Sequence, residues 1–233
     1  MSKIFMIRHL ERIDVDDASP AECRLWGSTH SKDPLFKMNP YIIKSENKLP
    51  KLVSNLNEIG VVIDSVVCSP FLRCIETAVL LVNSSDKFKD KIINIDFNLS
   101  EFLNSDYEFQ RFPLDVKEIY EHSKSYIQTS LAGKEYTLNE LNTDLVMHAS
   151  EEEAAYRARI DKVLKELRSK CSGNILIITH ADAYVPYNAA RQQMKHGMVY
   201  ELDIPASEGA GGGYYKKYLK YKMKYLKLKN SLE

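Results

Sequence analysis

No apolar run in this 233-residue chain approaches the ~18 residues that a membrane-crossing helix needs. The first residues go straight into "KIFMIRH", without the charged-then-apolar pattern and small-residue cleavage site of a secretory leader. The four cysteines (Cys23, Cys68, Cys74, Cys171) form no CxxC pair and no His/Cys ligand spacing, which argues against a zinc framework. Scattered thiols suit a reducing compartment, so an intracellular protein is expected. An excess of charge of one sign is also missing, with 32 basic and 32 acidic side chains. That balance is uneven along the chain. Residues 214–233 carry seven lysines and one acid, a tail of +6, which leaves −6 on the body. The body is therefore a poor general nucleic-acid binder, and the tail a fair one.

What is present reads as strands alternating with helices. "KIFMI" is the first buried strand candidate, and residues 13–48 look irregular and polar. Leu49, Leu52, Leu56 and Ile59 recur at helical spacing until Gly60 ends the helix. "VVIDSVVCS" is a second strand, and Pro70 suits the first turn of the helix "PFLRCIETAVLLV". "KIINI" is a third strand, and residues 104–148 are expected to hold an inserted helical segment. "SEEEAAYRARIDKVLKELRSK" reads as a helix capped by Ser150, with acids at its start and bases at its end. "NILIIT" and "GMVYELDI" complete the strands. This alternation predicts an α/β fold, a three-layer α/β/α sandwich around a mostly parallel sheet.

Two of these strands end on histidine, "FMIRH" and "LIITH". In open parallel sheets ligands bind beyond the carboxyl ends of the strands, so His9 and His180 are expected at one edge. Arg8 ends the first strand, and Arg73 lies on the first turn after the second. Two guanidinium groups with two imidazoles suit a phosphoryl group: arginine forks hold its oxygens, and a neutral imidazole can attack phosphorus. Such a centre needs an acid for the leaving oxygen. After the third strand, "DFNLSEFL" offers Asp96 and Glu101, and Glu101 is the expected donor.

In this order, "RHLER", "CSPFLRCIETA", "LSE" and "ITHADA" resemble the histidine phosphatase superfamily, with its phosphoglycerate-mutase-like fold. The family's opening Arg-His-Gly-Glu falls on Arg8, His9, Leu10 and Glu11. Its Ser-Pro-x-x-Arg-x-x-x-Thr-Ala segment matches Ser69, Pro70, Arg73, Thr77 and Ala78. Its donor after a leucine matches Glu101, and its second histidine matches His180. The resemblance implies that His9 becomes a phosphohistidine, that Arg8, Arg73 and His180 hold the phosphate, and that Glu101 gives the proton. It also suggests substrate contacts from Glu11, Arg12 and Ala181, and no metal or cofactor. Arg12, "SPFLRCIETA" and "MHASEEEAAYRAR" are similar to the phosphatase domains that dampen T-cell receptor signalling and to insect steroid-phosphate phosphatases. The expected partner is a phosphorylated small molecule or phosphoprotein, without the mutase activity of more distant relatives.

Leu10 departs from the motif glycine, and a leucine there would cost ~1 kcal/mol or more at positive φ. It keeps open a second reading, a phosphate-binding interaction protein with impaired catalysis. A cysteine phosphatase is rejected, because Cys68 and Arg73 are too close in sequence and Pro70 lies between them. Cys68 is expected in the core. His30, His122, His148 and His196 have no evident partner and are expected in solvent.

The domain is expected over 1–208, followed by the flexible "GAGGG" linker 209–213 and the tail 214–233. In that tail Tyr214, Tyr218, Tyr221, Tyr225, Leu228 and Leu232 form a heptad-like stripe among lysines. Such a stripe is expected to bind an anionic surface, nucleic acid or a partner helix. "KYLKYKMKYLKLK" resembles the ends of giant DNA virus proteins. That implies a viral protein of the host cytoplasm or virion.

Overall fold

A computed structural model of the chain describes residues 3–14, 19–44, 47–103, 114–147, 150–187 and 193–202. The expected linker 209–213, tail 214–233, domain end at 208 and His148 lie outside the described residues.

In chain order the elements are β1 (Ile4–Arg8), α1 (Pro20–Thr29), α2 (Pro34–Met38), α3 (Leu49–Glu58), β2 (Ser65–Cys68), α4 (Leu72–Val82) and β3 (Ile92–Asp96). There follow β4 (Leu114–Asp115), α5 (Val116–Ser130), β5 (Thr137–Leu141), β6 (Val146–Met147), α6 (Glu153–Lys170), β7 (Ile175–Thr179) and β8 (Val199–Leu202). The main sheet has the order β5-β3-β2-β7-β1-β8. All its pairings are parallel except β1 with β8. A two-stranded antiparallel ribbon joins β4 and β6. This is the mostly parallel α/β architecture of the phosphoglycerate-mutase-like fold.

Central β7 is buried along its whole length, as expected for a parallel strand covered on both faces. Phe5, Ile7, Val66, Cys68, Ile93, Ile95, Leu176 and Ile178 share one apolar core with residues of α3, α4 and α5. The alternate positions Ile4, Met6, Val67, Ile175 and Ile177 are buried as well and face the other side of the pleat. On α6, Tyr156, Ile160, Val163, Leu164 and Leu167 are buried outside that first core. Each fully buried aliphatic chain contributes roughly 1.5–3 kcal/mol, so these two layers hold the sheet between them.

The carboxyl ends of the strands follow the sequence pattern, but β2 starts only at Ser65 rather than Val61, and several helix ends differ as well. Helix α3 stops as expected: Gly60 takes a φ of +68°, a backbone that costs glycine nothing. Two short helices, α1 and α2, occupy the stretch read as irregular. Each starts on a capping residue followed by proline, Ser19–Pro20 and Asp33–Pro34. Helix α4 begins at Leu72 rather than Pro70. Its first N–H acceptor comes from outside, since Asn39 Oδ1 takes the Leu72 N–H at 2.7 Å. Helix α6 starts after Glu152 with no side-chain cap, so Ser150 does not cap it. Residues 114–147 contain α5 as expected, together with the edge strand β5 and the ribbon, which the pattern did not signal. Among the described residues, no helix is long and apolar enough to cross a membrane.

Candidate active site

In the β1/β7 pair, Arg8 stands opposite Thr179. Parallel strands in equal register bring the next residues side by side, so His9 and His180 meet although they are distant in sequence. The His9 N–H donates to the Thr179 carbonyl at 3.0 Å. The two imidazole centroids lie 5.5 Å apart, nearly edge to face. Both residues are buried. β2 pairs with β7 one position earlier, Cys68 opposite Ile178, which carries Ser69 and the start of α4 to the same edge.

The tautomer of His9 follows from its partner. His9 Nδ1 lies 2.6 Å from the Leu10 carbonyl. A carbonyl only accepts, so Nδ1 carries the proton and Nε2 carries the lone pair. Burial, then Arg73 and His180, push the His9 pKa well below its ordinary value. A neutral imidazole with a free Nε2 is the nucleophilic form. His180 is likewise held neutral, by burial first and by Arg73 next. Its Nε2 lies 2.9 Å from Ser69 Oγ, and its Nδ1 is 3.3 Å from Arg73 Nη2. Because arginine only donates, His180 Nδ1 accepts and Nε2–H points to Ser69.

Arg73 is fully buried. One nitrogen, Nη2, donates to Glu101 Oε2 at 2.6 Å. Its Nε and Nη1, with Arg8 Nε, are buried donors without an acceptor among the described residues. Buried polar groups are normally satisfied, and guanidinium donors of this kind fit the oxygens of a phosphate. Burial, reinforced by Arg12, lowers the pKa of Arg8. Burial also lowers that of Arg73, with Glu101 opposing. Both remain cations at neutral pH. Glu101 Oε1 lies 3.7 Å from His180 Nδ1, so its carboxyl touches both groups. Asp96, the other acid considered, is buried and accepts from the Asn98 N–H and Asn142 Nδ2.

Arg8, His9, Arg73, Glu101 and His180 are thus one cluster. The flanking positions differ. Glu11 is buried and ion-paired with Lys48. Burial opposes its charge, but hydrogen bonds from Lys48 and from its own backbone outweigh this and hold its pKa below the usual range. Arg12 donates from Nε and Nη2 to Asp14 at 2.8 and 2.5 Å. Ala181 opens a turn of 3-10 helix, Ala181–Tyr187, directly after His180. Cys68 is a core residue as expected, and burial raises its pKa far from the thiolate range.

His196 is the residue that the sequence pattern missed. Expected in solvent, it is instead half-buried, with its ring 5.4 Å from that of His9. Its Nδ1–H donates to the His9 carbonyl at 2.6 Å. Burial, then Arg8, lower its pKa. Gly197, at a φ of +73°, makes the turn that brings it there. No sequence signal marked it, because the antiparallel sense of β8, which puts its entry beside the exit of β1, is a tertiary feature. His30 and His122 are also partly buried, against Phe36 rather than free in water.

Leu10 is fully buried in the core and is not among the residues with positive φ. The strain expected of a leucine at this position is therefore absent.

With this geometry in place, comparison with known proteins identifies the class. The family model described as the histidine phosphatase superfamily (branch 1) matches residues 47–187, more than half of the chain. The chain belongs to the histidine phosphatase superfamily. The match starts after the Arg8–His9 turn, so the first motif rests on the structure around it. Among solved structures, the ecdysone phosphate phosphatase of Bombix mori is similar with a TM-score of 0.56 and 16% identity, over 90% of this chain and 95% of that one. An Escherichia coli protein assigned as an α-ribazole-5'-P phosphatase is similar with a TM-score of 0.50 and 19% identity, over 88% and 91% of the two chains. No curated protein sequence matches the chain.

Proposed function

We propose that the protein hydrolyses a phosphate monoester through a phosphohistidine on His9. The observation that carries this reading is the His9 tautomer: Nδ1 is tied to the Leu10 carbonyl, which leaves Nε2 free beside the unpaired donors of Arg73. His9 Nε2 attacks phosphorus as the bond from phosphorus to the leaving oxygen breaks. Arg8 and Arg73 hold the equatorial oxygens, where the transition state spreads its negative charge, and His180 joins them once the dianion draws a proton onto its Nδ1. Glu101 gives its proton to the leaving oxygen. A phosphate dianion competes with Glu101 for Arg73, which frees the Glu101 carboxyl to turn to the leaving oxygen. Water then attacks the phosphohistidine, Glu101 takes the water's proton, and inorganic phosphate leaves with His9 restored.

Leu10 was one ground for a non-catalytic reading, and the absence of a positive φ there favours the catalytic one. The names of the two neighbours share a phosphate ester and little else, so the substrate class proposed is a phosphate monoester of a small molecule or protein.

The test is release of p-nitrophenolate from p-nitrophenyl phosphate, with trapping of acid-labile phosphate on the chain. Wild type should turn over and carry the label on His9. His9→Ala should do neither. Turnover that survives in His9→Ala would overturn the proposal.

A further inference from the structure

The proton donor sits on a stretch that has no regular structure of its own. After β3 a single turn of 3-10 helix covers Phe97–Leu99, and Ser100, Glu101 and Phe102 follow outside any helix or strand. A donor must be held within a few tenths of an ångström of its acceptor, so something beyond local structure must fix this segment.

Arg159 of α6 does so. Its Nη1 donates to the Asn98 carbonyl at 2.7 Å and the Ser100 carbonyl at 3.2 Å. Its Nη2 reaches the Glu101 carbonyl at 3.3 Å. The same guanidinium is gripped from behind by Glu151, Nε to Oε1 at 2.9 Å and Nη2 to Oε2 at 2.6 Å, a two-pronged pair. Glu151 also takes the Leu103 N–H on its carboxylate and gives its own N–H to the Leu103 carbonyl at 2.6 Å. Thr179, next to His180, donates to the Leu99 carbonyl at 3.0 Å. The backbone on both sides of Glu101 is therefore bonded to α6 and its entry loop. Both side chains of the pair are nearly inaccessible, Arg159 at 9% and Glu151 at 3%, and an arginine fork at such a site is not replaced by a lysine.

We propose that Arg159, oriented by Glu151, is the positioning residue for the proton donor Glu101. This rests on the reading of Glu101 as the general acid. Arg159 makes its contacts through the backbone of Asn98, Ser100 and Glu101, so it acts through Glu101 and is not itself a catalytic residue.

The experiment compares kcat/KM for two esters, phenyl phosphate and 2,4-dinitrophenyl phosphate. Dinitrophenolate leaves without a proton, whereas phenolate needs one. Arg159→Ala and Glu151→Gln should lower kcat/KM for phenyl phosphate at least about 10-fold more than for the dinitrophenyl ester, a part of the usual worth of a general acid. Both esters are read on one preparation, so the ratio does not depend on the fraction of folded protein. In a Glu101→Gln background, Arg159→Ala should change the ratio no further. An equal fall for both esters would make the pair merely structural and overturn the proposal. A further change of ratio in the Glu101→Gln background would overturn it too. A wild type inert towards both esters is a separate result, which overturns the phosphatase reading beneath it.

Discussion

The Leu10 N–H donates to Thr77 Oγ1 at 2.9 Å, and that hydroxyl donates in turn to the Arg73 carbonyl at 2.7 Å. One buried hydroxyl therefore ties the turn that carries the proposed nucleophile His9 to the helix that carries the proposed phosphate ligand Arg73. Both roles of the oxygen, acceptor and donor, are used. Threonine at this position is explained by that bridge.

Removing the bridge should disturb geometry and stability together. In Thr77→Val the shape is kept, but the buried Leu10 N–H loses its acceptor, at a cost of about 1–3 kcal/mol. Turnover of p-nitrophenyl phosphate should fall on the order of 10-fold or more, because His9 and Arg73 lose their common reference. Thr77→Ser should stay close to wild type in both respects. Urea unfolding and steady-state kinetics on the three proteins check this, and a Val variant with unchanged kcat/KM would refute it.

Restoring the motif glycine should harm the protein rather than improve it. Leu10 is completely buried and its backbone needs no positive φ. Leu10→Gly should therefore cost about 3–5 kcal/mol, through the cavity and the freed backbone. Turnover per folded molecule should not rise. Thermal unfolding and kinetics read both, and a faster enzyme of unchanged stability would contradict the structure.

Glu76 predicts a pH dependence of stability with a definite sign. It is buried on α4, and its Oε2 accepts the Ile42 N–H at 2.8 Å. Lys44 stands 4.0 Å from Oε1. Burial pushes its pKa up from 4.5 to about 7, against the pull of Ile42 and Lys44. Between those values the folded state keeps a proton that the unfolded chain has released, so stability falls as pH rises through the window. Above it the loss is on the order of 3 kcal/mol. His9, His180 and His196 act oppositely. Their pKa values are lowered in the fold, so their share of stability is full above 6.5 and is lost on acidification. Glu76→Gln removes only the first effect. The gap in unfolding free energy between Glu76→Gln and wild type should widen in favour of the variant from about pH 5 to about pH 8. A flat difference curve would show that Glu76 does not titrate in this way.

The candidate cluster was legible in the chain because most of its residues sit at strand ends, and strand ends are marked by local apolar runs. "FMIRH" and "LIITH" announce their own carboxyl ends, and parallel pairing does the rest. His196 was not legible in the same way. Its place depends on the direction of β8, which no residue near it encodes. The short helices α1 and α2 carried cap-and-proline signals, Ser19–Pro20 and Asp33–Pro34, that the polar composition around them obscured. Strand β5 was hidden for another reason. As an edge strand with three of its five residues exposed, it needs no strong apolar pattern.

The stretch "IFMIRHLER" carried the candidate chemistry: which side chains end the strand, and which residue types there are able to attack or to hold an anion. Those properties depend on residue type and on neighbours a few positions away, so a linear reading recovers them. The neutral state of His9, the unpaired donors of Arg73, the clamp of Arg159 on the Glu101 backbone and the unstrained burial of Leu10 depend on burial and on partners far along the chain. Desolvation and hydrogen-bond geometry set them, and both exist only once distant segments have packed.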